Sequence, residues 1–436
     1  LRENTRQSIN LYYKKRLNLV RQKWNLNKNK TAIELVTQLL KEPQSNFVKE
    51  EALYLRGSIY IQEKQIELSL KDWNEALKTL SDKKYKSELM SKILWKKAWL
   101  LRQEKKYEEA IKAFEDLKKV NQNIYTDFKV LFWLGKTYLD LKQKQLARNN
   151  FLELIEKDYF GYYGLLARKI LNKKLEIGKT SLKKNKLFQN KKAEAIIHWL
   201  VLFDESELLS KFLKIHVNHF LKKDKLTETE WLETIWLLAK AKQYLQIFQS
   251  LELMDDKTKK IFLTKYIYLL FPIDFYEDVN VAHQKWDVDK ALIFSIIRQE
   301  SAFNVRARSP ADAFGLMQLI PSTANQTAQK NNIPYKGYRD LYNPLKNILL
   351  GTAYIKFLLK KYNNNFSFSV SAYNAGSIPV NKWKEELKTE DILEWIENIP
   401  YEETRTYVRL LIRNYIFYHN LLSDRTKNWF PDWIIQ

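Results

Sequence analysis

Residues 57–73, GSIYIQEKQIELSLKDW, decide how the first half of the chain folds. Within them Gly57, Ser69 and Trp73 stand at offsets 0, 12 and 16. Ala98, Ala110 and Phe114 repeat that spacing 41 residues later, and Gly135, Ala147 and Phe151 repeat it after a further 37. A fainter copy stands 37 residues upstream, at Val20, Ala32 and Val36. Small residues at the first two places let paired helices approach closely, and a large apolar residue at the third fills the space beneath. Such a pair cannot bury its apolar stripe alone, so the pattern predicts pairs stacked into an α-solenoid. A non-repeating helical bundle is the other reading of the same spacing.

Outward from the repeats the composition stays helical as far as residue 271. Only Pro43 precedes Pro272, whereas eight prolines follow from Pro272 onward. Proline breaks helix interiors, so the first 271 residues read as nearly continuous helix and the remainder as shorter helices between loops. Residues 172–192, rich in Lys and Asn, read as a loop or weak helix. Charge divides at the same place. Residues 272–436 carry 20 Lys+Arg and 18 Asp+Glu, net +2, so the whole-chain +23 leaves +21 on residues 1–271. An excess of that size points to an anionic partner. The hydrophobic fraction of 45% builds real cores, and the absence of Cys excludes disulfides and thiolate chemistry. No apolar run reaches the roughly 18 residues of a membrane helix. The chain begins at Leu1, which suggests a fragment or processed form, and no export signal is in view.

The stretch 287–300, DVDKALIFSIIRQE, reads as a helix with an Asp near its start to cap it. Leu292, Ile296 and Glu300 follow at i, i+4 and i+8 and share one face. Glu300 thus extends an apolar stripe. A carboxylate there is costly unless paired, and otherwise stays protonated near neutral pH, which is what a general acid requires. Spacing alone leaves a second reading open: a Glu at a fraying helix end, paired with Arg298 or Arg306.

Four further motifs follow in order. Arg308-Ser309-Pro310 precedes Gly315-Leu316-Met317-Gln318, then come Ala372-Tyr373-Asn374-Ala375-Gly376 and Ile399-Pro400-Tyr401-Glu402-Glu403-Thr404-Arg405-Thr406-Tyr407-Val408. With Glu300-Ser301, this succession over about 280–420 resembles the catalytic domain of the soluble lytic transglycosylases, bacterial enzymes that cleave peptidoglycan. The N-terminal repeats resemble the tetratricopeptide pattern in loosened form. The combined expectation is an all-α chain: a TPR-like α-solenoid (superhelix) over 1–204, a helical linker over 205–271, and a lysozyme-like α-helical catalytic domain over 272–436.

The resemblance implies cleavage of the β-1,4 bond between N-acetylmuramic acid and N-acetylglucosamine, with Glu300 as sole general acid/base. As acid it protonates the glycosidic oxygen. As base it takes the proton of the muramic C6 hydroxyl, which attacks C1 and leaves a 1,6-anhydro end. The substrate's own acetamido carbonyl stands in for the second carboxylate of most glycosidases. Ser309, Gln318, Tyr373, Asn374 and Glu403 match positions that bind the sugar. Tyr373 is implied close to Glu300, able to donate to its carboxylate or to the acetamido group. Tyr407, one turn beyond Glu403, shares its face. Plain structural readings stand beside these: Ser309 and Gln318 bonding their own loop, Tyr373 in the core, and Glu403 as an acid favoured by the helix dipole. Gly376 reads as a left-handed cap ending a helix over about 366–375.

The five His and absent Cys suggest no metal site, and no cofactor is expected. The expected partners are peptidoglycan glycan strands and, through the basic solenoid, envelope proteins. No nucleic acid and no transmembrane segment are expected. A monomer is expected, in the periplasm because the implied substrate is there. Two other functions compete. A hydrolytic muramidase needs a second carboxylate, for which Asp312 is nearest in sequence. A non-catalytic basic helical-repeat binding or scaffold protein needs none.

Overall fold

The structure is a computed structural model that describes residues 2–42, 45–81, 88–121, 123–177, 191–203, 205–221, 226–423 and 428–436. The chain folds as two compact units, Leu1–Lys157 and Asp158–Gln436. The expected borders at 204/205 and 271/272 both fall inside the second unit. Among the described residues, β-structure is confined to two isolated bridges, Arg308 with Phe314 and Phe314 with Leu319. No described helix is long and apolar enough to cross a membrane.

Among the described residues the first unit has eight helices: α1 (Arg2–Asn25), α2 (Asn29–Lys41), α3 (Asn46–Gln62), α4 (Ile66–Ser81), α5 (Glu88–Gln103), α6 (Tyr107–Val120), α7 (Ile124–Asp140) and α8 (Lys144–Lys157). They pair as α1/α2, α3/α4, α5/α6 and α7/α8, and adjacent pairs pack on one another. The repeated positions do what their spacing implies. A Cβ on Gly57 would stand 2.5 Å from the Trp73 indole, and one on Gly135 2.7 Å from the Phe151 ring. Ser69 donates its hydroxyl to the Gly57 carbonyl at 2.8 Å, sealing the same crossing. Each pair turns on a left-handed residue, Asn27, Lys64, Lys105 or Lys142, at φ 56–61°. The residue after each closes the turn with an i→i−5 backbone bond: Lys28 to Lys23, Gln65 to Tyr60, Lys106 to Leu101 and Gln143 to Tyr138.

The second unit begins with α9 (Tyr162–Ile170), α10 (Lys191–Leu202), α11 (Ser206–Leu221), α12 (Glu228–Lys240), α13 (Tyr244–Leu253), α14 (Asp256–Lys265) and the single turn α15 (Ile267–Leu270). Much of the expected loop at 172–192 lies outside the described residues. The α12/α13 hairpin turns in the same way as the four repeat pairs: Lys242 is left-handed at φ 54°, and Gln243 bonds back to Leu238 at 2.8 Å. Its equivalents of the small positions are Ile235 and Ile247, both buried, which is why the pattern was illegible there.

The rest of the unit is α16 (Tyr276–Trp286), α17 (Lys290–Ser301), α18 (Pro321–Lys330), α19 (Pro344–Lys361), α20 (Phe366–Ala375), α21 (Ser377–Glu386), α22 (Ile392–Asn398) and α23 (Glu402–Leu422). Here α17 is the central helix, buried from Ala291 to Arg298 and packed along α23, while α20 bridges α19 and α23. Asp289 caps α17 by accepting from the Ala291 N–H at 2.9 Å. At the composition break Phe271 and Pro272 are both buried. Phe271 is buried against Phe160, Phe417 and Tyr418, and the Tyr418 hydroxyl donates to the Pro272 carbonyl at 2.8 Å. Gly376 ends α20 at φ 83° but with ψ 162°. It is therefore not the expected left-handed cap, but an extended positive-φ residue of a kind open essentially to glycine alone.

Candidate active site

Glu300 sits in the last turn of α17, one turn beyond the buried Ile296. Left-handed Ala302 and Phe303 (φ 48° and 64°) then turn the chain away. The reading that paired Glu300 with Arg298 fails on geometry. Arg298 is buried, donates to the Leu270 carbonyl at 2.7 Å and to Asn414 at 3.3 Å, and lies 3.4 Å over the Phe248 ring. The Glu300 carboxylate instead accepts from the Tyr407 hydroxyl at 2.6 Å.

Burial lifts the Glu300 carboxyl to about 7, the Tyr407 hydrogen bond pulls it down, and the charge of Glu403 pushes it up. The C-terminal end of α17 is the negative pole of the helix and acts in the same sense as Glu403. A carboxyl so placed is half protonated near neutrality, the condition a group needs to act first as acid and then as base.

The loop after α17 is held by side chains rather than by a sheet. Ser301 donates to the Leu316 carbonyl at 2.8 Å. Asn347, fully buried on α19, accepts from the Met317 N–H at 2.8 Å and donates to the carbonyls of Phe314 and Leu341, both at 2.9 Å. Gly315 (φ 74°) passes so near that a Cβ would stand 2.1 Å from the Leu341 carbonyl oxygen. Asn347 lay in no motif, and nothing in the sequence marks it apart from any other helical Asn.

Ser309 and Gln318 bond this loop. The Ser309 hydroxyl accepts from the Ala313 N–H at 3.1 Å, and the Gln318 amide donates to the carbonyls of Gly315 (2.9 Å) and Ala307 (3.1 Å). The Tyr373 hydroxyl donates to the Met317 carbonyl at 2.8 Å rather than to the Glu300 carboxylate, which Tyr407 reaches. Tyr373 still feels Glu300, whose charge, after burial, helps hold its hydroxyl far above the usual range. Asn374 accepts from Thr404 at 2.6 Å, tying the end of α20 to the start of α23. Glu403 is exposed in the first turn of α23, four residues before Tyr407. Asp312 lies on the exposed side of the loop at φ 56°, accepting two bonds from Arg308 at 2.8 and 2.6 Å.

A lysozyme-like helical domain whose central helix closes on a half-buried Glu, with no second carboxylate hydrogen-bonded to it among the described residues, is therefore the class this second unit defines. Residues 277–396 match the family model Transglycosylase SLT domain, and 91–124 and 129–158 match tetratricopeptide repeat models. The putative soluble lytic murein transglycosylase of Haemophilus influenzae is 41% identical over 187 residues, 43% of this chain and 31% of that protein. The soluble lytic murein transglycosylase of Escherichia coli K12 is 36% identical over 141 residues, 32% of this chain and 22% of that protein. The chain thus spans under a third of the length of the curated relatives it matches. Among solved structures, an inactive mutant of the lytic transglycosylase Slt from Pseudomonas aeruginosa superposes with TM-score 0.71 at 21% identity, covering 96% of this chain and 64% of that one. The complex of the 70-kDa soluble lytic transglycosylase with bulgecin A gives 0.72 at 19% identity, over 94% and 62%. The chain carries an SLT transglycosylase domain behind tetratricopeptide repeats.

Proposed function

We propose that the chain is a lytic transglycosylase acting on peptidoglycan glycan strands, with residues 272–436 as its catalytic domain, 205–271 as linker and the repeats before them as superhelix. The observation that carries this is Glu300: a carboxyl lifted to about 7 in a site with a Tyr donor, inside the segment that matches the SLT domain. Glu300 protonates the oxygen between N-acetylmuramic acid and N-acetylglucosamine, and the C1–O bond breaks. The muramic C6 hydroxyl then attacks C1 and gives its proton to the Glu300 carboxylate, which restores the acid and leaves a 1,6-anhydro end. Glu300 is the sole acid/base. Ser309, Gln318, Tyr373, Asn374 and Glu403 line the sugar cleft.

The net +21 of residues 1–271 suits the carboxylated lactyl and peptide groups of peptidoglycan, and offers envelope proteins an electrostatic surface. The substrate places the enzyme in the periplasm, working as a monomer.

The hydrolytic alternative is disfavoured by Asp312. That carboxylate is engaged with Arg308 on an exposed face, and the carboxylate whose charge reaches Glu300 is that of Glu403. Digestion of peptidoglycan sacculi followed by mass spectrometry tests the reading. Anhydromuropeptides that disappear with Glu300→Gln support it. Reducing-end products would make the protein a muramidase, and intact sacculi would make it a binding or scaffold protein.

A further inference from the structure

We propose that Tyr163, Glu397 and Arg409 form a buried brace that holds the Tyr407 turn of α23 in register with Glu300, making all three positioning residues. The brace joins three elements. On α22, Glu397 accepts from the Tyr163 hydroxyl of α9 with one oxygen and from the Arg409 guanidinium of α23, at 2.5 Å, with the other. The Arg409 guanidinium also lies 5.4 Å from the Tyr163 ring. Side-chain exposure is 3% for Glu397 and 17% for Arg409. The Arg405 guanidinium donates to the Ile399 carbonyl at 2.7 Å, fixing the approach to the same helix.

Arg405 and Arg409 flank Tyr407 by two residues on either side. On a helix that is about 200° of rotation, so both lie on the face opposite to the Tyr407 hydroxyl. The brace therefore grips the back of the turn whose front carries the donor to Glu300. A buried ion pair is a poor source of net stability, because desolvation offsets most of its attraction. What it supplies is a fixed geometry. A hydroxyl–carboxylate bond of 2.6 Å needs one, since a shift of under an ångström weakens it steeply. Tyr163 itself lies outside both the repeat match, which ends at Asp158, and the SLT match over 277–396.

This inference rests on the reading of Glu300 as the general acid. Glu300 faces Tyr407 and Glu403 from α23 and Tyr373 from α20. Glu397 faces Arg409 from α23 and Tyr163 from α9, with Tyr162 beside it. Loosening the brace weakens the Tyr407 bond, which favours the carboxylate, so Glu300 holds its proton to higher pH.

The test is the pH dependence of kcat for anhydromuropeptide release by the full chain. Tyr163→Phe keeps the ring and removes one bond, and Glu397→Gln removes the charge. Expected for Tyr163→Phe is a kcat about 5-fold to 10-fold lower near pH 6, KM within about twofold, and an alkaline limb moved upward by about half a unit. In a Tyr407→Phe background the same substitution should move the limb no further. If Tyr163→Phe lowers only the melting temperature and leaves kcat and the limb at wild type, the proposal is overturned. An equal shift in the Tyr407→Phe background overturns the route through Tyr407. Full activity in Glu300→Gln would instead overturn the underlying reading of the acid, a separate result.

Discussion

Replacing Glu300 by Gln should make the second unit more stable and, at the same time, inactive. Gln keeps the shape and still accepts from Tyr407, but it has no charge to bury. The Glu300 carboxyl stands at about 7 in the fold against an ordinary 4.5. Each unit of difference is about 1.36 kcal/mol, so above pH 7 the wild-type fold is less stable by up to ~3 kcal/mol on this account. The sign follows from which state holds the proton. The raised carboxyl contributes its full share below the unfolded value near 4.5, and loses it as pH climbs through 7. Gln has nothing to lose. Thermal melts of wild type and Glu300→Gln at pH 4, 6 and 8 should therefore coincide at pH 4 and diverge at pH 8. At 2–4 °C per kcal/mol, the variant should melt roughly 6–12 °C higher in the transition of the second unit. Turnover should fall by about three decades or more, as for loss of a sole acid/base. Equal melting at pH 8, or a gain that persists at pH 4, would refute the claim that Glu300 is held in a site hostile to its charge.

Tyr407→Phe removes a hydrogen bond to a charged acceptor, about 1.5–3 kcal/mol, so the alkaline limb of kcat should move up by about one to two units, read from the pH profile. Asn347→Ala strips three backbone bonds from the 314–341 loops. Urea denaturation should show a loss of about 3 kcal/mol or more, and KM for sacculi should rise. Lys105→Gly relieves a left-handed non-glycine in the α5/α6 turn and should stabilise the repeats by about 0.5–1 kcal/mol in the same assay. A fragment 158–436 should be soluble and give sharp melting. A fragment 272–436 should not, because it strips Phe160 and Phe271 from Phe417 and leaves Arg298 without the Leu270 carbonyl. Gel filtration of the two checks this, and a monodisperse, sharply melting 272–436 would overturn it.

The repeats were legible because close helix packing demands small residues at fixed intervals, and that demand is written directly in Gly57, Ala98 and Gly135. It was unreadable at α12/α13, where Ile235 and Ile247 occupy the equivalent places and only the left-handed Lys242 with its i→i−5 bond betrays the same turn. Glu300 was legible as an acid on an apolar stripe, because helical periodicity alone puts it on the face of Leu292 and Ile296.

What touches Glu300 was a matter of tertiary structure. Tyr373 and Tyr407 stand in comparable motif positions, and only the packing of α17 along α23 hands the carboxylate to Tyr407, while Tyr373 turns to the Met317 carbonyl. The same holds for Asn347, one helical Asn among many until the loop closes over it. Local chemistry follows from residue type and spacing along one element. A hydrogen bond between residues 107 apart in sequence depends on how several elements pack at once, and no local pattern records that.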